Sequence, residues 1–295
     1  MDIKQLHYFV TVSNQLSYSK AAQKLHISQP SLSNAIKNLE QEVGSPLLDR
    51  NTRKMELTDA GKILYKKSIL LLSQMNMLKK EMEEVKLTGS GDLIIGIIES
   101  VKHWIPKVIR EYQDRFPSIN IKLIEVLSGK AVKESLRKYD THLLITNQYI
   151  NEADIESFPL YDERLVLVLH RDHPLTQKKE SILLKELERE PFIISTEGFQ
   201  TREDILTAFT LEQMAPKIKF EIERFETALT LVRENLGITI IPENYLSEPM
   251  DASVVQKTID SSALERTVYL TFMKNRYLAP AVQTFLEDIR RNFAH

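Results

Sequence analysis

Apolar residues recur at helical spacing in the first part of the chain and predict three short helices. The first is predicted over 3–14, and the second begins near Ser19. The third begins at Ser28, a good N-cap, carries Pro30 in its first turn and ends at Gly44. Two helices joined by a tight turn, the second polar on its exposed face, are typical of a helix-turn-helix, whose second helix lies in the DNA major groove.

Two short extended segments follow and flank a basic tip, which predicts a wing hairpin beside the third helix. The tip carries Arg50, Arg53 and Lys54. We expect these cations to contact phosphates or an A·T-rich minor groove, and the alternative is a solvated charge cluster. Residues 1–58 are therefore predicted to form an α-helical, winged helix-turn-helix domain.

A long linker helix is predicted over 59–88, because Thr58 is an N-cap and no helix breaker follows Gly61 until Gly89. Apolar residues recur in it every seven positions, with a second set four positions later, as in a coiled-coil seam. The expected dimerisation residues are Leu64, Leu71, Met75, Leu78 and Met82. The alternative is a helix packed on its own domain, but a rod of about 43 Å would project beyond so small a domain.

The pattern changes to alternating strands and helices after a short Gly-Ser joint at 88–91. Apolar runs at 93–98, 165–169 and 237–241 predict strands, with helices between them. Repeated β-α-β units indicate mostly parallel sheets covered by helices. Residues 89–295 contain two such series, so we predict two α/β subdomains, and ligands bind such folds at the carboxyl ends of the strands.

Four predicted helix starts in this α/β region are candidates for binding a small anion, because helix N-termini offer free N–H groups and partial positive charge. The candidate effector-binding residues are Ser100, Val101, Lys102, Ser128, Gly129, Lys130, Gln200, Thr201, Arg202 and Thr227. The alternative is that each hydroxyl only caps its own helix. Glu99 would repel an anion or require a cationic partner such as Lys130 or Arg202.

Composition excludes several classes of function. The chain has 295 residues, 42% apolar and 27% charged, which is ordinary for a globular protein of two or three domains. It contains no cysteine, which excludes disulfides, thiolate metal sites and cysteine nucleophiles. We find no catalytic constellation and no metal-ligand spacing, so we expect no enzyme activity, no metal and no cofactor. Without a transmembrane-length segment or signal peptide pattern, we expect a cytoplasmic protein that does not contact membranes.

Charge is distributed unevenly. Residues 1–88 contain 13 basic and 9 acidic residues, and the remainder contains 26 and 32, so only the first part suits a polyanion. The candidate DNA-contacting residues of the third helix are Gln29, Pro30, Ser31, Ser33, Asn34 and Lys37. Gln and Asn can each bind adenine through two hydrogen bonds, and Pro can contact a thymine methyl group.

Several motifs make the chain similar to the LysR-type transcriptional regulators over essentially its full length. The N-terminal motif is Ala21-Ala22-x-x-Leu25-x-Ile27-Ser28-Gln29-Pro30-Ser31-Leu32-Ser33, followed by Leu47-Leu48-x-Arg50 and Leu57-Thr58-x-Ala60-Gly61. The C-terminal part is matched more loosely, by His173-Pro174-Leu175 and Leu236-Gly237-Ile238 among others. Leu48 stands where the family commonly has Phe, which should alter only packing.

This resemblance implies a linker helix that pairs two subunits and an effector domain like periplasmic binding proteins. Chain crossings near Tyr161 and Glu265 would give one subdomain of 91–161 with 267–295 and another of 162–266. The implied partners are double-stranded promoter DNA, a small-molecule effector such as an organic anion, and RNA polymerase, with homodimers assembling to a homotetramer. The alternative is a small-metabolite-binding protein that uses its N-terminal module only for oligomerisation.

Overall fold

The structure is a computed structural model in two compact units, Met1–Met82 and Glu83–His295, which are taken separately below. It describes residues 1–49, 55–85, 91–246 and 251–293. The three predicted wing cations, Arg50, Arg53 and Lys54, lie outside the described residues.

Helices and a short hairpin make up the first unit. Its elements are α1 Ile3–Gln15, α2 Tyr18–Lys24, α3 Gln29–Val43, β1 Leu48–Asp49, β2 Glu56–Leu57 and α4 Asp59–Val85, the last of which extends three residues into the second unit. β1 and β2 are antiparallel, with Leu48 opposite Leu57. The predicted helix-turn-helix and long helix are confirmed.

Local caps explain where these helices begin and end. Ser28 Oγ accepts a hydrogen bond from the Ser31 backbone N–H at 3.3 Å, and Gly44 ends α3 in the left-handed conformation, with φ of 74°. The second helix begins at Tyr18, one residue before Ser19, near which its start was predicted. Ser17 is its N-cap, because its Oγ accepts from the Lys20 N–H at 3.4 Å.

The start of α4 is held against the segment that precedes the hairpin. Thr58 Oγ1 accepts from the Gly61 N–H at 3.0 Å and donates to the Pro46 carbonyl at 2.7 Å. A Cβ at Gly61 would lie only 2.0 Å from the Leu47 carbonyl oxygen. Glycine at this position therefore permits the close approach of the helix to the backbone.

The second unit is a mixed α/β structure. Its helices are α5 Ile105–Gln113, α6 Gly129–Arg137, α7 Gln200–Leu211, α8 Phe225–Arg233 and α9 Pro280–Phe293. Its strands are β3 Gly91–Ile97, β4 Ile119–Glu125, β5 Leu143–Thr146, β6 Ile155–His170, β7 Pro191–Ser195, β8 Lys217–Ile222, β9 Ile238–Pro242, β10 Val254–Lys257 and β11 Glu265–Met273.

The strand order is β4-β3-β5-β11-β6-β9-β7-β8, with β10 also paired to β6. β3, β4 and β5 are parallel, as are β7, β8 and β9, whereas β6 and β11 pair antiparallel with their neighbours. The sheet is therefore mixed rather than mostly parallel. The long strand β6 pairs with β11 up to Arg164 and with β9 from Leu165, so it passes from a first half, with α5, α6 and α9, into a second half, with α7 and α8.

One predicted helix start, the one with the candidates Ser100, Val101 and Lys102, is wrong. The chain forms a 3-10 turn over Glu99–His103, and α5 begins only at Ile105. Pro106 explains the difference, because proline has no N–H and is tolerated in the first helical turn but not in a helix interior.

Candidate DNA-binding surface and effector site

The exposed face of α3 carries most of the residues predicted to contact DNA. Pro30, Ser33, Asn34 and Lys37 follow the i, i+3, i+4, i+7 spacing that places side chains on one side of a helix. Ser33 is half-buried and the other three are exposed. The opposite side is fully buried in the core of the first unit through Leu32, Ile36 and Leu39. The helix thus presents one polar face to solvent while its other face fixes its orientation.

The first turn of α3 is held by side chains rather than left loose. Gln29 Oε1 accepts a hydrogen bond from Ser19 Oγ of α2 at 2.9 Å, and Ser28 Oγ donates to Ser31 Oγ at 2.9 Å. Ser28 acts as the predicted cap. Ser31 shares in the cap, whereas the exposed Gln29 is positioned by the neighbouring helix.

The base of the predicted wing is anchored to the same helix. Glu40 of α3 accepts hydrogen bonds from the backbone N–H groups of Leu47, at 2.8 Å, and Leu48, at 3.3 Å. These bonds fix the first strand of the hairpin relative to α3.

The side chains predicted to form a dimer seam are mostly exposed along α4. Leu71, Met75, Leu78 and Met82 lie at helical spacing, and the exposed fractions of Leu78 and Met82 are 53% and 52%. Leu64 differs, because it is partly buried against the core of its own unit. An exposed stripe of large apolar side chains indicates a surface that another molecule covers.

Two adjoining cavities lie between the halves of the second unit. The outer cavity has a volume of about 690 Å³ and is lined by Gly129, Lys130, Lys133, Asn147, Gln148, Tyr149, Ile150 and Gln200. The inner cavity, of about 20 Å³, is lined by Ile98, Glu99, Ser100, Leu127, Asn147, Phe199, Gln200, Thr201, Phe225 and Arg266. Asn147 and Gln200 line both, so the two cavities are neighbours.

Several polar contacts join the two halves around the inner cavity. The Phe225 N–H, at the start of α8, donates to Glu99 Oε1 at 3.3 Å. The Lys102 ammonium lies 3.4 Å from the centre of the Tyr245 ring. A backbone bridge also joins residues 128 and 199 across the cleft.

The environment of the inner cavity changes the pKa of the Glu99 carboxyl group. Burial raises the pKa of its carboxyl group to about 7, while the hydrogen bond from the Phe225 N–H lowers it. Among nearby charges, Glu125 of β4 raises this pKa, whereas Arg224 and Lys102 lower it. Burial also lowers the pKa of the Lys102 ammonium group.

A buried ionic cluster lies beside the inner cavity. Arg266 donates to Glu163 Oε1 at 2.8 and 2.7 Å, to Asp204 Oδ2 at 2.9 Å and to Thr201 Oγ1 at 3.0 Å. Arg266 and Glu163 are direct neighbours on β11 and β6. Sequence reasoning missed Arg266, Glu163, Asp204 and Asn147. The sequence signal that could have identified Arg266 and Glu163 was their opposite charge close to the two predicted chain crossings.

The structure brings together half of the predicted effector-binding residues. Ser100, Gly129, Lys130, Gln200 and Thr201 line one or both cavities. These residues come from the two halves of the unit.

Other predicted effector residues are used differently. Val101 is fully buried in the apolar core, and its N–H bonds to the Ile98 carbonyl. The predicted role of Arg202 is corrected as well. Its guanidinium donates at 2.8 Å to Glu221 and to the Ser195 carbonyl instead of facing the cleft.

The last three have roles outside the two cavity linings. Ser128 caps α6, accepting from the Ala131 N–H at 3.3 Å. Thr227 is exposed in the first turn of α8, and Lys102 lies over Tyr245. The prediction that these residues bind an effector directly therefore has no support in the cavities as the structure describes them.

Two further findings concern the whole described part of the chain. No group of His, Asp and Glu among these residues is arranged to hold a metal ion. No helix among them has the length and apolarity needed to cross a membrane.

Comparison with known proteins agrees with this architecture. Residues 3–62 match the model "Bacterial regulatory helix-turn-helix protein, lysR family", and residues 88–294 match "LysR substrate binding domain". The Hca operon transcriptional activator HcaR of Escherichia coli is 30% identical, covering 100% of this chain and 99% of its own.

Solved structures show the same likeness. Full-length BenM is 27% identical with a TM-score of 0.61, covering 99% of this chain and 97% of its own. Full-length CbnR complexed with its target DNA is 21% identical, has a TM-score of 0.66 and covers 99% of each chain, which shows a shared fold.

Proposed function

The chain belongs to the LysR family of transcriptional regulators, which are DNA-binding proteins with an effector-binding domain, and from this premise we propose how its own residues act. The exposed face of α3 reads double-stranded promoter DNA. An effector bound between the halves of the second unit changes that binding. Because its target is the chromosome, the protein works in the cytoplasm, and RNA polymerase is the partner through which a change in DNA contact alters transcription.

The observation that carries the DNA-binding proposal is the division of α3 into a buried face and a polar face. Asn34 can bind adenine through two hydrogen bonds, and Lys37, one turn further on, can reach a phosphate. The hydrogen bond from Ser19 fixes Gln29 in the first turn of the same helix. We extend the proposal to Pro30, Ser31 and Ser33 on the helix and to Arg50, Arg53 and Lys54 on the wing.

Binding of the full-length protein to its own upstream DNA tests this proposal. Asn34→Ala should lower affinity for the specific site by about 5- to 150-fold, the value of one bidentate base contact, and leave random DNA unaffected. Lys37→Ala should weaken both and reduce the slope of log K against log salt by about one. Asn292→Ala, which removes an exposed amide on α9 of the second unit, is the control. Equal losses for Asn34→Ala and Asn292→Ala would contradict base reading by α3.

We also propose that α4 pairs two chains and that two such dimers form a tetramer. The support is the exposed stripe of Leu71, Met75, Leu78 and Met82. Sedimentation or light scattering should show Leu78→Glu in a smaller assembly than the parent protein, since a buried carboxylate is costly. Ile63→Glu, which changes an exposed residue off the stripe, should keep the parent assembly. An unchanged mass for Leu78→Glu contradicts the seam.

The effector's anionic group, we propose, binds in the outer cavity at the starts of α6 and α7, beside Lys130. A volume of about 690 Å³ is within the usual range of ligand pockets, about 300–1,000 Å³. Lys130→Ala should weaken organic-acid binding, whereas Lys107→Ala, an exposed lysine on α5, should not. The ligand acts only if it favours one arrangement of the halves, so a bound ligand that leaves DNA affinity unchanged contradicts this part.

The domain limits remain part of the proposal: 1–58, 59–88 and 89–295, with subdomains 91–161 plus 267–295 and 162–266. Their support is the exchange of β11 for β9 as the partner of β6 at Leu165.

A further inference from the structure

We propose that the effector is an amino-acid-like zwitterion, with its ammonium group bound by Glu99 and Ser100 and its anionic group bound beside Lys130. This inference rests on the proposed effector site and adds the charge of the effector's second end. The proposed anion site at the starts of α6 and α7 accounts for only one end of such a ligand.

Glu99 supplies a carboxylate at the inner cavity that lacks a cationic partner. It accepts a hydrogen bond from the Phe225 N–H, and no ion pair to it exists among the residues the structure describes. The neighbouring cations are engaged elsewhere. Arg224 forms an ion pair with Glu125, and Lys102 lies over the Tyr245 ring. A half-buried carboxylate in this position favours a ligand that brings its own positive charge.

Ser100 provides a second and independent observation. Its side chain is 1% exposed and lines the same inner cavity. Its hydroxyl lies near the Tyr161 hydroxyl but makes no hydrogen bond of ordinary length within the described part of the chain. Buried polar groups are almost always hydrogen-bonded, so an open hydroxyl in the same cavity as the Glu99 carboxylate indicates a missing partner. An ammonium group carries three donors and can serve both groups at once.

The remaining charges at the inner cavity also disfavour a purely anionic ligand. Arg266 is the cation of the lining, but its guanidinium is bound by both Glu163 and Asp204. Two carboxylates on one guanidinium leave an excess of negative charge. Burial is the main cause that raises the pKa of Glu99 to about 7, and an added ammonium group would favour the ionised form of this carboxyl.

The size of the inner cavity decides which end of the ligand can enter it. The inner cavity holds about 20 Å³, which is enough for a group the size of one water molecule. An ammonium group fits, whereas a ring or a branched chain does not. The rest of the molecule must lie in the larger outer cavity, which adjoins the inner one at Asn147 and Gln200.

The outer cavity offers the opposite charge. Gly129 and Lys130 begin α6, and Gln200 begins α7, so backbone N–H groups and partial positive charge meet there. Lys133 is paired with Glu152 at 2.9 Å, but among the described residues no carboxylate forms an ion pair with Lys130. One small molecule can therefore satisfy both ends.

Calorimetry on the full-length protein tests the inference with matched probes: each standard amino acid, the deaminated acid of the same skeleton and the decarboxylated amine. For leucine these are 4-methylpentanoate and 3-methylbutylamine. At least one amino acid should bind about tenfold or more tightly than either analogue, because a hydrogen bond to a charged group discriminates by at least that factor. Glu99→Gln should remove about the same factor, and Glu99→Asp should restore part of it.

Glu226→Gln is the matched control, because it removes an exposed carboxylate near the start of α8 that lines neither of the two cavities described here. It should leave the affinity unchanged. Near-UV spectra and Trp104 fluorescence identical to the parent show that each variant is folded.

Three results would overturn the inference: an amino acid that binds no better than its deaminated acid or its amine, equal affinity in Glu99→Gln, or no binding by any amino acid. Binding of deaminated acids that depends on Lys130 and changes DNA affinity leaves the proposed function standing. Ligands that bind without changing DNA affinity contradict the proposed function instead.

Discussion

Replacing Arg266 by alanine removes the guanidinium that neutralises Glu163 inside the α/β unit. The side chains of Arg266 and Glu163 are 8% and 0% exposed. Glu163 Oε2 is already buried without a hydrogen-bond partner among the described residues. The substitution would leave Glu163 with an uncompensated buried charge and Asp204 without its guanidinium.

The expected loss follows from this burial. Removing one partner of a buried ion pair typically costs about 3–5 kcal/mol, and the same figure applies here. The neighbouring residue pair of β6 and β11 supplies a matched control. Arg164 forms an ion pair with Glu265 at 2.9 Å, and the two side chains are 61% and 52% exposed. Exposed pairs contribute about 0.2–1 kcal/mol, so Arg164→Ala should fall in that range. The loss of unfolding free energy should thus differ severalfold between these two neighbouring ion pairs of β6 and β11.

Urea unfolding of the full-length protein, followed by the fluorescence of Trp104, measures the difference. Trp104 is the sole tryptophan and is buried in the core of the second unit, so its signal reports this unit. Equal slopes of free energy against urea for parent and variants would license the comparison of midpoints. A loss below about 1 kcal/mol for Arg266→Ala, no larger than for Arg164→Ala, would refute the argument from burial.

Three other changes have definite expected outcomes. Gly61→Ala should destabilise the first unit by about 1–3 kcal/mol or more, because its Cβ would clash with the Leu47 carbonyl, and circular dichroism melting should show it without a shift in Trp104 fluorescence. Ser28→Ala should cost about 0.5–2 kcal/mol and speed hydrogen exchange in the first turn of α3. Affinity for a zwitterion should rise about tenfold between pH 6 and 8 as Glu99 ionises, and this rise should vanish in Glu99→Gln; a pH-independent parent would contradict it.

Local signals in the sequence predicted the first unit well. The buried stripe of α3, the Ser28 cap and the Gly44 terminus each depend on residues within one or two turns, and all are present in the structure. The start of α2 was predicted to within one residue, because the helix begins at Tyr18, directly after its Ser17 cap.

The proposed effector site was only partly predictable, because the residues around it meet through tertiary structure. Glu163 and Arg266 are 103 positions apart and become neighbours only when β6 pairs with β11. Periodicity carries no information on such a contact. Val101 was misassigned because the helix was expected to begin beside it. Arg202 turns toward Ser195 and Glu221, an orientation set by packing between α7 and the sheet.

Helix starts in this chain show why a capping signal alone overestimates anion sites. Ser28 fills the start of α3, Ser128 fills that of α6, and the Glu99 carboxylate takes the Phe225 N–H at the start of α8. Each end already has a protein partner for at least one N–H group. We infer that selectivity comes from the groups beside each cap. These are an exposed amide and lysine at α3, Lys130 at α6, and at α8 the Glu99 carboxylate, which forms no ion pair among the described residues. We propose that the same local motif thus serves a nucleic acid, an anion and a cation in three places.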